Sequence, residues 1–371
     1  MMDPYDFVAM HLPQKTIDLI DGFWVQFAQN EAGLNERFTR QGPGADPTVV
    51  MGALSDIAPD IMWEFGEAEI GHEVVITSEW RDDLRALVRA IKNRAPELRY
   101  FQVRDTRPAE PNHMIEQLIK SRFRSKFTLK TIAVDVSDTG HINVTCEGRG
   151  KTEALIDQAV ALSTLALGEK DERAWLGFVE AKSTLIGRSL PVAEAAEAVR
   201  QGVEEAKRAR PAQKYASTVL DDDREQYLFS YEGDQPQDNA RGDIISYTTF
   251  DAHFGLNVLN ERPFSSLRFS QFGEWFAGIA LPPLPHEELS IDARNALETH
   301  IHDRLRSTKV GGLIGAGTGR ENMYFDVALE DVVQGLSDLS ALFHELARPD
   351  AVLSFHDDGL KGFRYPLLRS Q

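Results

Sequence analysis

The sequence VGGLIGAGTGRENMYFDVAL, residues Val310–Leu329, places five glycines within nine residues and then continues with an alternating segment. A nucleotide-binding loop requires a strand, then glycines, then a helix whose N-terminal amides face the phosphates. Here Met323, Phe325 and Val327 occupy every second position, which predicts a strand after the glycines. No Lys-Ser or Lys-Thr pair follows either, so we predict a β-hairpin and not a phosphate-binding loop.

The predicted hairpin turns at Thr318–Glu321, where Gly317 or Gly319 supplies a positive φ. Three further glycines lie inside its first strand and indicate a bulge or a close backbone approach: Gly311, Gly312 and Gly315. The segment SSLRFSQFGEWFAGIAL before the hairpin indicates another strand or hairpin, and helices are expected over Ile291–Ser307 and Glu330–Ala347. With AVLSFHDD as the last strand, the order from Leu267 onward is β-α-β-β-α-β, a ferredoxin-like arrangement.

The N-terminal half predicts two units of the same order. The first has a strand around Ile61–Phe65, a partner strand at Val74–Thr77, a helix over Leu84–Ile91 and the strand RYFQVRD. The second has the strands SKFTLKTIAVDV and HINVTCEG, a helix over Thr152–Leu167 that ends at Gly168, and the strand ERAWLGFVEAK. We therefore predict tandem ββαβ units, which indicate an internal duplication within residues 1–190.

The segment LPVAEAAEAVRQGVEEAKRARPAQ is rich in strong helix formers and indicates a helical connector that ends at Pro211. We place a domain boundary near 208–213. The sequence thus predicts an α+β protein with an N-terminal domain over 1–208 and a C-terminal ferredoxin-like domain over 209–371.

The composition limits the classes of partner. The chain has 371 residues, 42% of them hydrophobic, and its formal net charge of −18 opposes binding to nucleic-acid phosphates and to anionic membranes. Such a charge suits a basic protein partner, although it also serves solubility. The start MMDPYDFVAMHLPQK carries acids and a proline where a signal peptide needs basic and then apolar residues, so we expect a cytoplasmic location.

Metal and nucleophile motifs are incomplete in this sequence. His300 and His302 point in different directions on a helix, and His344-Glu345 has Arg348 where a zincin needs its second histidine. Cys146 is in phase with the core positions of its strand and is expected to be a buried thiol. We therefore assign no catalytic residue, no metal ligand and no cofactor-binding residue, and we expect no cofactor.

Other polar and aromatic groups have plain structural interpretations. We expect His356–Asp358 to form a turn after a strand, and Asp221–Asp223 to be solvated on a loop. The aromatic residues Trp24, Phe27 and Phe38 recur at helical spacing and indicate core packing rather than a ligand pocket.

Two resemblances to known families rest on these motifs. Residues 15–185 resemble a widespread family of uncharacterised bacterial proteins, through features with these positions: Trp24, Phe27, Phe65-Gly66, Glu73–Thr77, Ala95-Pro96 and Ala166–Glu169. Residues 264–357 resemble a second uncharacterised bacterial family, ferredoxin-like and distantly similar to the protein regulator of ribonuclease E activity, through GAGTGRENMYFDV and its flanking helices. The resemblance implies a binding role and brings no catalytic residues.

Two functional hypotheses remain open. The first is a non-enzymatic regulatory protein, for example of the toxin-immunity type, that binds a basic partner through an acidic surface or an exposed sheet face. The second is an enzyme or small-molecule binder with a site in the cleft between the domains. Convergent buried polar side chains in that cleft would favour the second hypothesis, and a closed aliphatic interface would exclude it.

Overall fold

The computed structural model describes residues 3–42, 46–68, 71–79, 81–124, 128–182, 190–217, 226–230, 241–260 and 262–367. Helices and strands alternate along these residues, which confirms the predicted α+β class. The strands form three separate sheets, of three, four and seven strands, and we call the parts of the chain that carry them the first, second and third units.

The first unit consists of these elements: α1 Pro4–Ala9, α2 Gln14–Gln41, α3 Thr48–Met51, α4 Leu54–Ile57, β1 Met62–Glu67, β2 His72–Thr77, α5 Arg85–Asn93 and β3 Phe101–Arg104. β1 pairs antiparallel with β2, and β3 pairs parallel with β2. The aromatic residues of α2 are buried in the core of this unit, as the helical spacing predicts. The indole Nε1 of Trp24 donates to the carbonyl of Ile91, 2.7 Å away, so α2 is fixed to α5.

The second unit consists of α6 Asn112–Phe123, β4 Leu129–Val136, β5 Ile142–Gly148, α7 Thr152–Trp175, β6 Leu176–Ala181, β7 Leu190–Pro191 and α8 Val192–Arg208. Its sheet order is β6-β5-β4-β7, with β5 and β6 parallel. The expected helical connector is α8, and it packs into this unit, since Val199 and Val203 are buried in the same core as β4 and β5.

One expectation for the second unit is wrong. Gly168 has φ 72° and ψ 163°, a conformation that almost only glycine adopts, but the chain becomes helical again directly after it. A Cβ at Gly168 would lie 2.6 Å from the backbone nitrogen of Ala109. Residues 172–175 are therefore helical, and the strand expected over ERAWLGFVEAK begins only at Leu176.

The third unit consists of β8 Tyr227–Ser230, β9 Ile244–Thr249, α9 Ala252–Leu259, α10 Ser266–Phe269, β10 Trp275–Leu281, α11 Ile291–Thr308, β11 Gly311–Gly319, β12 Met323–Leu329, α12 Val332–Glu345, β13 Val352–Phe355 and β14 Arg364–Pro366. Its sheet order is β14-β13-β10-β12-β11-β9-β8, with every neighbouring pair antiparallel. The strand or hairpin expected from Ser265 is wrong in its first part, since α10 precedes the strand.

The predicted hairpin is confirmed as β11 and β12, and the glycine segment is strand throughout. Its register shifts between Leu313 and Gly315, which confirms the expected bulge. The expected positive φ is wrong, because neither Gly317 nor Gly319 has one. A close approach explains Gly315 instead: a Cβ there would lie 2.8 Å from the Thr248 carbonyl oxygen on the neighbouring strand β9.

The three units contact one another through α1 and through α7. Tyr5, Phe7 and Val8 of α1 belong to the core of the third unit, although they precede the first unit in sequence. Arg210, after α8, donates to the carbonyls of Leu267 and Ser270 at 2.9 and 3.2 Å. The boundary between 208 and 209 stays a prediction, and the contacts place a junction of all three units beside α1.

Candidate functional site

A cavity of about 620 Å³ lies where the three units meet, and we call it the interunit cavity. Its charged lining residues are Asp3, Asp82, Arg85, Arg89, Asp105, Lys170, Glu172, Arg173, Asp357 and Asp358. Its apolar lining residues include Ile156, Val160, Leu176, Val179, Phe264, Leu267 and Trp275. The volume is in the range of small-molecule sites, which combine an apolar wall with a few polar groups.

The first unit brings the ends of two parallel strands to the cavity. Ser78 directly follows β2 and Asp105 directly follows β3, so both residues lie at the carboxyl edge of that strand pair. Ligands of open parallel sheets bind at this edge, because loops there leave room between the elements. The helix α5 begins at Arg85, and Arg89 follows one turn later on the same face, which turns two guanidinium groups toward the cavity.

The helix α1 and the third unit form another part of the wall. Asp3 caps α1, where its carboxylate accepts from the Tyr5 amide at 2.8 Å. The guanidinium of Arg85 lies over the Tyr5 ring, 4.9 Å from its centroid. Gly359 makes room for both side chains, since a Cβ there would lie 2.7 Å from Cδ of Arg85.

The last turns of α7, after Gly168, supply the charges from the second unit. Glu169 is fully engaged, because its carboxylate accepts from Thr77 Oγ1 at 2.6 Å and from the Arg107 amide at 3.2 Å. Arg173 binds Asp82 and lies 3.3 Å from Glu169. These contacts fix this part of α7 to the first unit and determine where Glu172 is held.

Glu172 differs from the other acidic groups of the cavity. Its residue is 3% exposed, and among the described residues its carboxylate has no hydrogen bond and no ion pair within 4 Å. Burial raises its pKa to about 7, against the nearby charge of Arg173, and the charges of Glu169 and Asp82 add to this increase. Such a carboxyl group can exchange a proton near neutral pH.

Asp357 is the second perturbed acid of the cavity. Burial raises its pKa to about 6, although Ser266 donates to it through both its amide, at 2.9 Å, and its hydroxyl. Burial also raises the pKa of Asp3, while Arg89 opposes that increase. A cavity with convergent charged side chains and several shifted pKa values has the character of a binding or catalytic site.

The remaining charges of the cavity neutralise one another. Arg89 lies 3.1 Å from Asp105 and 3.7 Å from both Asp3 and Asp6, so one cation serves three acids. Asp358 is paired with Lys361 at 2.6 Å. Arg85, by contrast, has no carboxylate within 4 Å in the part of the chain that the structure describes; it contacts the Tyr5 ring, and its charge acts on Asp357.

A second buried polar cluster lies inside the third unit, and we call it the Asp326 cluster. Asp326 is fully buried, accepts from Arg241 at 2.7 and 2.5 Å and from Tyr247 at 2.6 Å, and lies 2.7 Å from Nε2 of His356. Burial would raise the pKa of Asp326, but Arg241 and His356 hold it below its usual value. Burial lowers the pKa of His356, against the opposing effect of the neighbouring Asp326 carboxylate.

Three motifs of the sequence analysis have different outcomes in the structure. Cys146 is buried, and burial raises the pKa of its thiol to about 11, which confirms a core thiol. Asp358–Leu360 forms the expected turn, but His356 belongs to the Asp326 cluster and Asp357 lines the cavity, so the turn interpretation was incomplete. Asp221–Asp223 lies outside the described residues.

Two absences hold for the part of the chain that the structure covers. No three His, Cys, Asp or Glu side chains come together there in a way that could hold a metal ion. No helix there has both the length and the apolar character needed to cross a membrane.

Sequence reasoning assigned none of the cavity residues to a site. Glu172 was expected on a strand, and no role was predicted for the polar side chains of α1 and α5. The one available signal was the position of Ser78 and Asp105, each directly after a strand of a ββαβ unit. The other lining residues come from segments that are far apart in sequence.

Comparisons with models of protein families, with curated proteins and with solved structures find no match to this chain. The two family resemblances therefore stay predictions, and the geometry of the interunit cavity carries the functional argument.

Proposed function

We propose that this protein binds a small molecule in the interunit cavity. The observation that carries the proposal is Glu172, a buried carboxyl group that lines a cavity of about 620 Å³ and has no partner among the described residues. The Glu172 carboxylate oxygens are accessible from the cavity and have no side-chain or backbone partner among the described residues. A ligand in the cavity can therefore pair with this carboxylate in place of water.

The position of the cavity supports the same proposal. All three units contribute to its wall, so a ligand there contacts α1, α5, α7 and the segment before β10 at once. Such junctions are common sites for ligands, and binding to the folded state alone raises the stability of the protein by mass action. Ligand binding therefore has a direct readout in thermal denaturation.

The test is a thermal-shift screen of a metabolite library against the wild type and two tryptophan variants. Val160 is half-buried and lines the cavity, so Val160→Trp fills the site. Ala154 is exposed on the same helix, outside the cavity, and Ala154→Trp is the matched control. We expect at least one metabolite to stabilise the wild type and A154W, but not V160W.

Two results would contradict the proposal. One is a complete library without any stabilising compound. The other is a set of stabilising compounds that act equally on V160W, since these would bind elsewhere. The unliganded melting temperatures of both variants are measured first, to establish that each variant folds.

A second candidate function rests on a different observation, the net charge of −18. A regulatory or immunity-type protein with this charge attracts a basic protein partner, and the attraction weakens as salt screens it. The test is retention of defined basic proteins, nucleases included, at low and at high ionic strength. The same weak retention of every basic protein, without one specific partner, would count against this function.

The finer fold assignments also stay proposals. The central strands of the third unit lie in the order β13-β10-β12-β11, which supports a ferredoxin-like arrangement. The order β-β-α-β from β1 to β3 and from β4 to β6 supports an internal duplication. Membership of the two bacterial families and a cytoplasmic location rest on the sequence alone.

A further inference from the structure

We propose that the ligand of the interunit cavity is a small zwitterion, whose ammonium group pairs with Glu172 and whose carboxylate pairs with Arg85. This inference rests on the proposed function and goes beyond it, because it specifies the chemical class of the ligand and one contact for each of its charges.

Most charged side chains of the cavity wall are paired with one another or solvated. Asp3 and Asp105 share Arg89, Asp82 binds Arg173, and Asp358 binds Lys361. Lys170 is exposed, so water solvates its ammonium group. Among the charged residues that line the cavity, two are left: Arg85, a half-buried cation without an ion pair, and Glu172, a buried acid without a hydrogen bond or ion pair to the described residues. A ligand that matches both carries both signs of charge.

Arg85 is suited to a carboxylate. Its guanidinium lies over the Tyr5 ring, which leaves the edge of the planar group available for two parallel hydrogen bonds. The charge of Arg85 acts on Asp357, whose oxygens also accept from Ser266, but no carboxylate of the described residues lies within 4 Å of the guanidinium. A ligand carboxylate would therefore be the first direct ion-pair partner of Arg85.

Glu172 is suited to an ammonium group. The adjacent cation, Arg173, is directed to Asp82 and Glu169 and leaves Glu172 without a counterion. An ammonium group donates three hydrogen bonds and neutralises the carboxylate. With a neutral donor the carboxyl group would keep its proton, because a buried ionised carboxylate needs a compensating charge.

Part of the cavity wall is apolar. Ile156, Val160, Leu176, Val179 and Leu267 line it with aliphatic side chains. A dipeptide with two leucine side chains has the charges at its ends and apolar groups between them, and it is small enough for a cavity of about 620 Å³. Leucyl-leucine is therefore the probe, and free leucine is the shorter zwitterion of the same series.

The experiment uses titration calorimetry with the full chain and three forms of the probe. Leucyl-leucine carries both charges, its N-acetyl form lacks the ammonium group, and its C-terminal amide lacks the carboxylate. We expect the unmodified dipeptide to bind and each capped form to bind at least about tenfold more weakly, because each cap removes one charge-assisted contact.

Two variants assign each ligand charge to its residue. In Glu172→Gln we expect acetylation of the probe no longer to weaken its binding. In Arg85→Gln we expect the same for amidation of the probe. The matched controls are Glu153→Gln, an exposed position on α7, and Arg99→Gln, whose guanidinium also lies over a tyrosine ring but outside the cavity. Both controls should retain the full effect of each cap.

The outcomes separate this inference from the proposed function. If neither leucyl-leucine nor leucine binds, while other metabolites bind in a manner that V160W abolishes, the zwitterion inference is wrong and the cavity remains a small-molecule site. Equal affinity for capped and uncapped dipeptides also overturns the inference. If no compound binds at all, both proposals fail.

Discussion

The Asp326 cluster and the interunit cavity both bury charged side chains, but these charges are paired in the cluster and partly unpaired in the cavity. In the Asp326 cluster a single carboxylate receives Arg241, Tyr247 and His356 within 2.7 Å, and the four side chains satisfy one another. In the cavity, Glu172 and Arg85 face open volume without an ion partner among the described residues.

This contrast distinguishes buried polar groups that stabilise the fold from buried polar groups that can bind a ligand. A complete buried network stabilises one arrangement of the chain and has no unused hydrogen-bonding capacity for a ligand. An incomplete one costs folding free energy, and proteins retain such groups mainly at sites that act on other molecules. The number of unpaired groups, rather than burial or charge, therefore identifies the cavity as the candidate site.

The largest expected effect concerns the Asp326 cluster. Asp326→Ala removes the counterion of a buried arginine, and we expect the free energy of unfolding to fall by about 3–5 kcal/mol. Urea denaturation followed by tryptophan fluorescence measures this loss, since Trp275 lies on β10 next to β12.

The control for this change is Glu345→Ala. Glu345 pairs with Arg304 at the surface, where an ion pair contributes about 0–1 kcal/mol. A loss in D326A no larger than that in E345A would mean that the Asp326 cluster is not a stabilising network.

The second expected effect concerns Glu172 and has the opposite sign. The pKa of Glu172 rises from the ordinary 4.5 to about 7 on folding. Below pH 4.5 the carboxyl group is protonated in both the folded and the unfolded state, so it does not change the free energy of unfolding. As the pH rises to 7, Glu172 ionises first in the unfolded state, and the free energy of unfolding falls by up to about 3 kcal/mol. Without ligand, we therefore expect Glu172→Gln to be more stable than the wild type by about 1–3 kcal/mol at pH 8.

Melting temperatures at pH 4 and pH 8 test this dependence on pH. The two proteins should melt alike at pH 4, and E172Q should melt higher at pH 8. Glu153→Gln, at an exposed position of the same helix, should show no such difference. A variant less stable than the wild type at pH 8 would mean that Glu172 has a stabilising partner.

The smallest expected effect concerns Arg85. Because Arg85 has a cation–π contact and no ion pair in the described residues, we expect Arg85→Gln to cost less than about 1 kcal/mol of stability. Arg89→Gln should cost more, since it leaves Asp3 and Asp105 without their shared cation. Chemical denaturation of the two variants compares them, and the reverse order would show that Arg85 is already paired.

Sequence patterns predicted the local elements well where the pattern depends on neighbouring residues. The alternation after the glycines predicted β12, the spacing of apolar residues predicted α2, α5 and α12, and a helix was also expected where α11 lies. The helix α6 has no counterpart among the expected elements. The residues after Gly168 were misassigned, because a positive φ at a glycine interrupts a helix without determining the conformation of the next residues.

These local patterns could not predict the candidate site. Tyr5, Arg85, Glu172 and Asp357 are separated by tens to hundreds of residues, and each has an ordinary local sequence. The third unit includes α1 in its core, and this long-range packing brings Tyr5 next to Arg85. No local periodicity encodes such a contact.

The amino-acid sequence was sufficient for the α+β class, the hairpin at the glycines, the acidic charge and the core position of Cys146. These properties depend on periodicity and composition, which act over a few residues or over the whole chain. Long-range packing determined which charges are paired, and therefore which groups are free to bind a ligand. Pairing depends on distances of a few ångströms between residues remote in sequence, so Glu172 and Arg85 acquire their roles only when the three units pack together.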